Sequence, residues 1–198
     1  NAVKRNNIGR VRELLDRGVD PNIKRLNPDN YNQPDTALNI ASQRNNIEIV
    51  RLLLDRGADP NIQDSEGYTV LMIVAPLGHI EIVRLLLDRG ADPNIRNDIG
   101  DTALIIVVES NGHTDIVRLL LDRGADPNIR EYGNDDTALL IATERGRIDI
   151  VELLLDHGAD PNIRNEYGMT DLMWIERRGE EEVARLIRDH FRLQKARQ

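Results

Sequence analysis

An all-α solenoid of helix–turn–helix units with projecting β-hairpin/finger loops is the fold this sequence predicts. Three observations predict it. The twelve letters RLLLDRGADPNI run from Arg51 to Ile62 and return at Arg84–Ile95 and Arg118–Ile129. Two further markers climb the chain in phase: Gly18, Gly57, Gly90, Gly124 and Gly158, and Thr-x-Leu starting at Thr36, Thr69, Thr102, Thr137 and Thr170. A period near 33 residues marks repeat architectures, in which each unit buries its apolar face on its neighbours. Finally, 40% of the residues are apolar but only 3% aromatic, so the core must be aliphatic.

Within one unit the elements follow from local chemistry. Thr69 is a suitable N-cap for a short apolar helix through Val70, Leu71, Ile73 and Val74, which ends near Pro76 and Gly78. Ile80 opens a second helix, with Ile82, Val83, Leu86 and Leu87 at helical spacing and Glu81, Arg84 and Asp88 on the wet face. Gly90 fits the left-handed position after that helix, and Pro93 prevents continuation. Helices this short are marginal alone, so they must stack.

The pattern D-x-x-G-x-T-x-L followed by G-H-x-E-I-V-x-L-L-L-D-x-G-A-D-x-N resembles the ankyrin repeat. Asp64, Gly67, Thr69, Leu71, Gly78, His79, Glu81, Ile82, Val83, Leu85–Leu87, Gly90, Ala91, Asp92 and Asn94 carry the match in one unit, and the pattern recurs along essentially the whole chain. The expected organisation is a single domain, 1–198. It divides into a partial first repeat 1–23, a repeat with a long finger 24–62, repeats 63–95, 96–129 and 130–163, and a C-terminal capping repeat 164–198. The sequence departs from the family's Thr-Pro-Leu-His. Ala37, Val70, Ala103, Ala138 and Asp171 replace the proline, and Asn39, Met72, Ile105, Leu140 and Met173 replace the histidine. Apolar packing is expected to substitute for the family's threonine–histidine hydrogen bond in four of the five units.

Irregularities mark the ends and two insertions. The chain starts inside a unit and without Met, as a trimmed fragment would, and Glu180, Glu181, Glu182, Arg185 and Arg188 give the last helix the charge of a cap. The first finger, Lys24–Asp35, is six residues longer than its counterparts and rich in turn-forming Asn, Asp and Pro. A longer turn or bulge is expected near Ser110 and Asn111.

No chemistry of catalysis or metal binding stands out. The chain has no cysteine, which removes disulfides, thiolate sites and cysteine nucleophiles. His79 and His113 share one repeat position, too far apart for one ion, and His157 stands at a helix end where a cation suits the dipole. Asp135-Asp136 reads as a solvated hairpin tip. No phosphate-binding glycine loop or serine nucleophile motif occurs, so neither enzyme activity nor cofactor is expected. With 26 basic against 34 acidic side chains the net charge is −8, which disfavours nucleic acid. No apolar run approaches the ~18 residues of a membrane span. An intracellular, cytoplasmic monomer is expected.

That leaves a protein partner. All four tyrosines, Tyr31, Tyr68, Tyr132 and Tyr167, fall in fingers, and tyrosine is favoured in binding surfaces. The resemblance implies that fingers and first helices form the binding face. Arg44, Pro76, Leu77, Glu109 and Arg145 then lie on first helices, and Tyr68, Pro76, Leu77 and Ile99 are expected to form an apolar anchor rimmed by Asp101, Glu109 and Tyr132. Asp136 completes the candidate set. The five fingers hold ten acids against five bases, so a partner with a basic patch is expected to be steered toward them. The reading is a non-catalytic protein-interaction module, with a recruiting or regulatory segment of a larger enzyme or effector as its alternative. A designed scaffold fits the twelve-letter identity, but the irregular insertions favour a natural origin. The resemblance also marks Asn61, Asn94 and Asn128 as positions where the family can be hydroxylated.

Overall fold

Threonine opens the first helix of each unit because its side chain can accept a backbone N–H that has no partner inside the helix. The computed structural model, which describes residues 1–27, 30–110, 112–178, 184–189 and 192, with backbone alone for 25–27, 30–35, 171 and 178, repeats this cap in every full unit. The Oγ1 atoms of Thr36, Thr69, Thr102, Thr137 and Thr170 accept from the amides of Asn39, Met72, Ile105, Leu140 and Met173 at 3.1 to 3.4 Å. The chain packs as two units, Asn1–Asp98 and Ile99–Gln198.

In the first unit α1 (Ile8–Asp16) is followed by an antiparallel hairpin, β1 (Arg25–Asn27) and β2 (Asn30–Asp35). Next come α2 (Ala37–Gln43) and α3 (Ile47–Asp55). Then α4 (Val70–Val74) runs into a 3-10 turn, Ala75–Leu77, before α5 (Ile80–Asp88). The inserted finger is thus a paired ribbon with a bulge at Leu26/Asn27, the hairpin form of the expected finger. Pro28 and Asp29 lie outside the described residues, as does the side chain of Tyr31.

The second helices of the first unit end the same way. Gly90 takes a φ of +87°, its amide meets the Leu87 carbonyl, and the Ala91 amide meets that of Leu86. This double closure satisfies carbonyls the helix leaves open. Beyond it, Asn61 clips its own turn to the next one. Its amide nitrogen donates to the Gly90 carbonyl at 2.9 Å, and its oxygen accepts from the Asp92 amide at 2.8 Å. Asn22 makes the same pair of bonds to Gly57 and Asp59. Asn61, one of the asparagines that the family resemblance marks for modification, therefore uses both polar ends of its side chain to lock register between repeats.

The first helix pair has an altered outer stripe. Where α3 buries Ile49 and Leu52, α1 carries Arg10 and Glu13, ion-paired at 2.5 Å.

In the second unit the helices are α6 (Ala103–Glu109), α7 (Thr114–Asp122), α8 (Ala138–Glu144), α9 (Ile148–Asp156) and α10 (Asp171–Arg178). Residues 184–189 are also helical. Fully buried Leu104, Ile105, Ile116, Leu120 and Leu139 form its aliphatic core. Asn128 clips Gly158 and Asp160 as Asn61 does in the first unit. The expected irregularity near Ser110 is there: its backbone leaves helical geometry at ψ −115° and the Gly112 amide turns back to Val107. Asn111 and Glu180–Glu182 lie outside the described residues.

The missing threonine–histidine bond is replaced unevenly. Asn39, Met72, Ile105 and Leu140 are buried, but Met173 is 40% exposed, so apolar packing does not replace it in the last unit.

Candidate binding surface

The finger of residues 63–69 is built on Asp64. Its carboxylate accepts from the Glu66 and Tyr68 amides, both at 2.9 Å, and its own amide donates to the Tyr68 carbonyl. Gln63 ties the turn to Gly67 and Arg96 through their carbonyls. Tyr68 is held this way and is half-buried. At the end of α4, Pro76 is half-buried, and Leu77 stands 51% exposed where Gly78, at φ +77°, ends the turn. Arg44 caps α2 and donates to the Lys4 carbonyl at 3.0 Å. The Asp98 amide meets the Glu66 carbonyl at 3.1 Å, so successive fingers stack.

The fingers of the second unit stack likewise. Tyr132 donates its amide to the Ile99 carbonyl at 2.9 Å, and its ring lies over Gly100, which sits at φ +87°. Glu131 folds its carboxylate back onto the amides of Gly133, Asn134 and Asp136 and so shapes the loop from inside. The Glu166 amide then reaches the Asn134 carbonyl at 2.8 Å, and the Tyr167 hydroxyl donates to the Asn134 side chain at 3.3 Å. The Glu166 carboxylate beside it pushes the Tyr167 pKa upward. Ile99, Tyr132 and Tyr167 are 57%, 61% and 69% exposed.

Two expected surface acids are not at the surface. Asp101 and Asp136 are buried, at 6% and 8% exposure, because each precedes its N-cap threonine at the base of the finger and not at the tip. Asp136 accepts from the Asn165 side-chain amide at 2.9 Å. Glu109 and Arg145 face each other as an ion pair at 3.6 Å.

Burial pushes the Asp136 carboxyl above its ordinary value of 3.8, against the Asn165 hydrogen bond, and the Glu131 and Glu166 charges add to the rise. The folded chain therefore binds this proton more tightly than the unfolded chain does. Its contribution to stability is complete below the unfolded pKa and is lost as pH rises through the folded one. Asp136→Asn keeps an acceptor for Asn165 and removes the charge. The variant's melting temperature relative to the parent is expected to rise between about pH 3 and pH 7. A constant difference across that range would show that Asp136 titrates as it does when unfolded.

Other contacts were not anticipated. Arg147 donates to the Ser110 carbonyl at 2.6 Å, just as His79 reaches the Ser42 carbonyl at 3.1 Å, each across 37 positions. Arg147 occupies the repeat position of His79, and that alignment was the available signal. Along the second helices Arg89 pairs with Asp55 at 2.6 Å and His157 with Asp122 at 3.1 Å, so His157 takes the arginine's place in a ladder between neighbouring helices. Among the described residues no group of three His, Asp or Glu side chains could hold a metal ion, and no helix is long and apolar enough to cross a membrane.

The family profile described as ankyrin repeats (3 copies) matches residues 1–97, 57–131 and 104–196. The chain belongs to the ankyrin-repeat family. A solved ankyrin repeat domain from Acinetobacter baumannii is similar to it at 30% identity, with a TM-score of 0.84 over 96% of this chain and 95% of that one. No curated protein matches the sequence. Ankyrin repeats generally serve as protein–protein interaction modules and are typically non-catalytic.

Proposed function

We propose that this ankyrin-repeat chain is a non-catalytic protein-binding module that engages its partner through fingers and first-helix ends. In the first unit the contributing residues are Arg44, Tyr68, Pro76 and Leu77; in the second they are Ile99, Tyr132, Arg145 and Tyr167. One observation carries the reading. Among the described residues four of the eight exposed large apolar side chains, Leu77, Ile99, Tyr132 and Tyr167, stand on those elements of the inner repeats, and the others are Ile8, Val19 and Ile23 in the first repeat and its turn and Met173 on α10. The outward positions of the second helices carry Arg51, Arg84, Arg118 and Glu152 instead, all exposed. Exposed apolar groups grouped on one set of elements mark interaction sites, whereas scattered ones do not.

The test begins with affinity capture and identification of the partner, followed by titration of the purified partner. Leu77→Ala and Tyr132→Ala are each expected to weaken binding by about thirtyfold, the effect of a hot spot worth about 2 kcal/mol. Melting should move by no more than about 0.5 kcal/mol, as is usual at exposed sites. If both variants bind as tightly as the outward control Arg84→Ala, the surface is wrongly assigned.

A further inference from the structure

The fingers of the second unit combine exposed apolar side chains with an exposed carboxylate. Of the acids in residues 99–101, 130–136 and 164–170, Asp101 and Asp136 are buried and Glu131 turns onto its own loop's amides, which leaves Asp135 and Glu166 with Arg130 and Arg164. Both arginines are already engaged: Arg130 with Asp135 at 3.3 Å, and Arg164 with the Gly168 carbonyl at 2.7 Å. The Tyr167 hydroxyl donates to the Asn134 side chain and the Glu166 amide meets the Asn134 carbonyl, so Tyr132 and Tyr167 stand on adjoining stacked fingers, which form one ridge. Ile99 joins that ridge through the Tyr132 amide. Glu166 stands exposed at its edge.

We propose that the ridge Ile99–Tyr132–Tyr167 docks an extended, arginine-bearing segment of the partner protein, with guanidinium groups lying on the tyrosine rings and pairing with Glu166. The assignment rests on the protein-binding reading above and names the partner's chemistry. Guanidinium suits the ridge better than ammonium, because it is planar and weakly hydrated, stacks on aromatic faces and forks onto a carboxylate. A second copy of the chain is a poor occupant, since each carries a net charge of −8 and the two repel. A polyphosphate is disfavoured for the same reason.

Fluorescence anisotropy with a labelled synthetic peptide alternating arginine and glycine, and with its lysine analogue, tests this on the full chain. The arginine peptide is expected to bind at least about threefold more tightly than the lysine one, with Tyr132→Ala and Tyr167→Ala each weakening it about two- to fivefold. Glu166→Gln should weaken it and flatten its salt dependence. Arg84→Ala, exposed on the outward side of α5, should leave it unchanged. Circular dichroism confirms that each variant is folded.

Equal binding of the two peptides, tyrosine variants indistinguishable from the parent, or no binding at all would overturn the assignment. The purified native partner separates this failure from that of the broader reading. A partner still weakened by Leu77→Ala, beside an indifferent arginine peptide, removes the arginine ridge alone. A partner indifferent to Leu77→Ala and Tyr132→Ala removes the binding surface itself.

Discussion

Replacing Leu86 with alanine is expected to lower stability by roughly 2 to 5 kcal/mol, the range for deleting a buried leucine side chain. Leu86 lies in α5 with no solvent exposure, among Ile82, Val83 and Leu85. The removed methyl groups lose both their transfer free energy and their packing partners, because a close-packed interior relaxes only partly. In a stacked array the damage is shared between a unit and its neighbour, as α5 packs on α3 and α4 within the first unit. Melting should fall by about 2 to 4 °C for each kcal/mol lost in a chain of this size. Arg84→Ala, two residues away and exposed, should move stability by no more than about 0.5 kcal/mol. Urea unfolding of the two variants side by side decides the matter. A loss below about 1 kcal/mol for Leu86→Ala would mean that α5 is not packed as described.

The second large effect concerns Gly100. Gly100 and Gly158 share a φ of +87°, so alanine incurs the same left-handed backbone penalty at both positions. They differ in what a Cβ would meet. At Gly158 nothing lies within 4 Å, whereas at Gly100 the added atom would sit 2.6 Å from the Tyr132 backbone nitrogen and 2.7 Å from its ring. The backbone nitrogen cannot move without breaking its bond to the Ile99 carbonyl. Gly158→Ala is expected to destabilise by about 1 kcal/mol. Gly100→Ala should exceed that by at least about another 2 kcal/mol, because strain and clash combine. It should also displace Tyr132, so arginine-peptide binding falls with stability. Equal melting temperatures for the two variants would show that the fingers do not stack through Gly100.

Much of the fold was legible because its signals are local and repeated. The threonine caps, the left-handed glycines and the aliphatic spacing of the second helices each need only neighbours within a few positions, and five copies turned weak preferences into a pattern. The candidate surface was less legible. Tyr132, Tyr167, Ile99 and Leu77 were singled out by residue type, and their exposure fits the role. Asp101 and Asp136 were misplaced because sequence shows that an acid lies in a finger but not whether it stands at tip or base. In the long finger the register and its bulge were not legible, since Asn and Pro suit a loop and a hairpin end equally well.

What the sequence alone determined was the repeat, its period and the identity of the buried aliphatic positions, since these follow from propensity and spacing. Tertiary structure decided which polar groups are satisfied across repeats. Asn61 closing the turn at Gly90, Arg147 standing in for a histidine at Ser110, and Asp136 held by Asn165 all join residues 29 to 37 positions apart. Such bonds depend on how one unit's loops meet the next, and a hydrogen bond fails beyond a few tenths of an ångström from its proper length. Residue type and spacing set the helices; only the stacked geometry sets those partners.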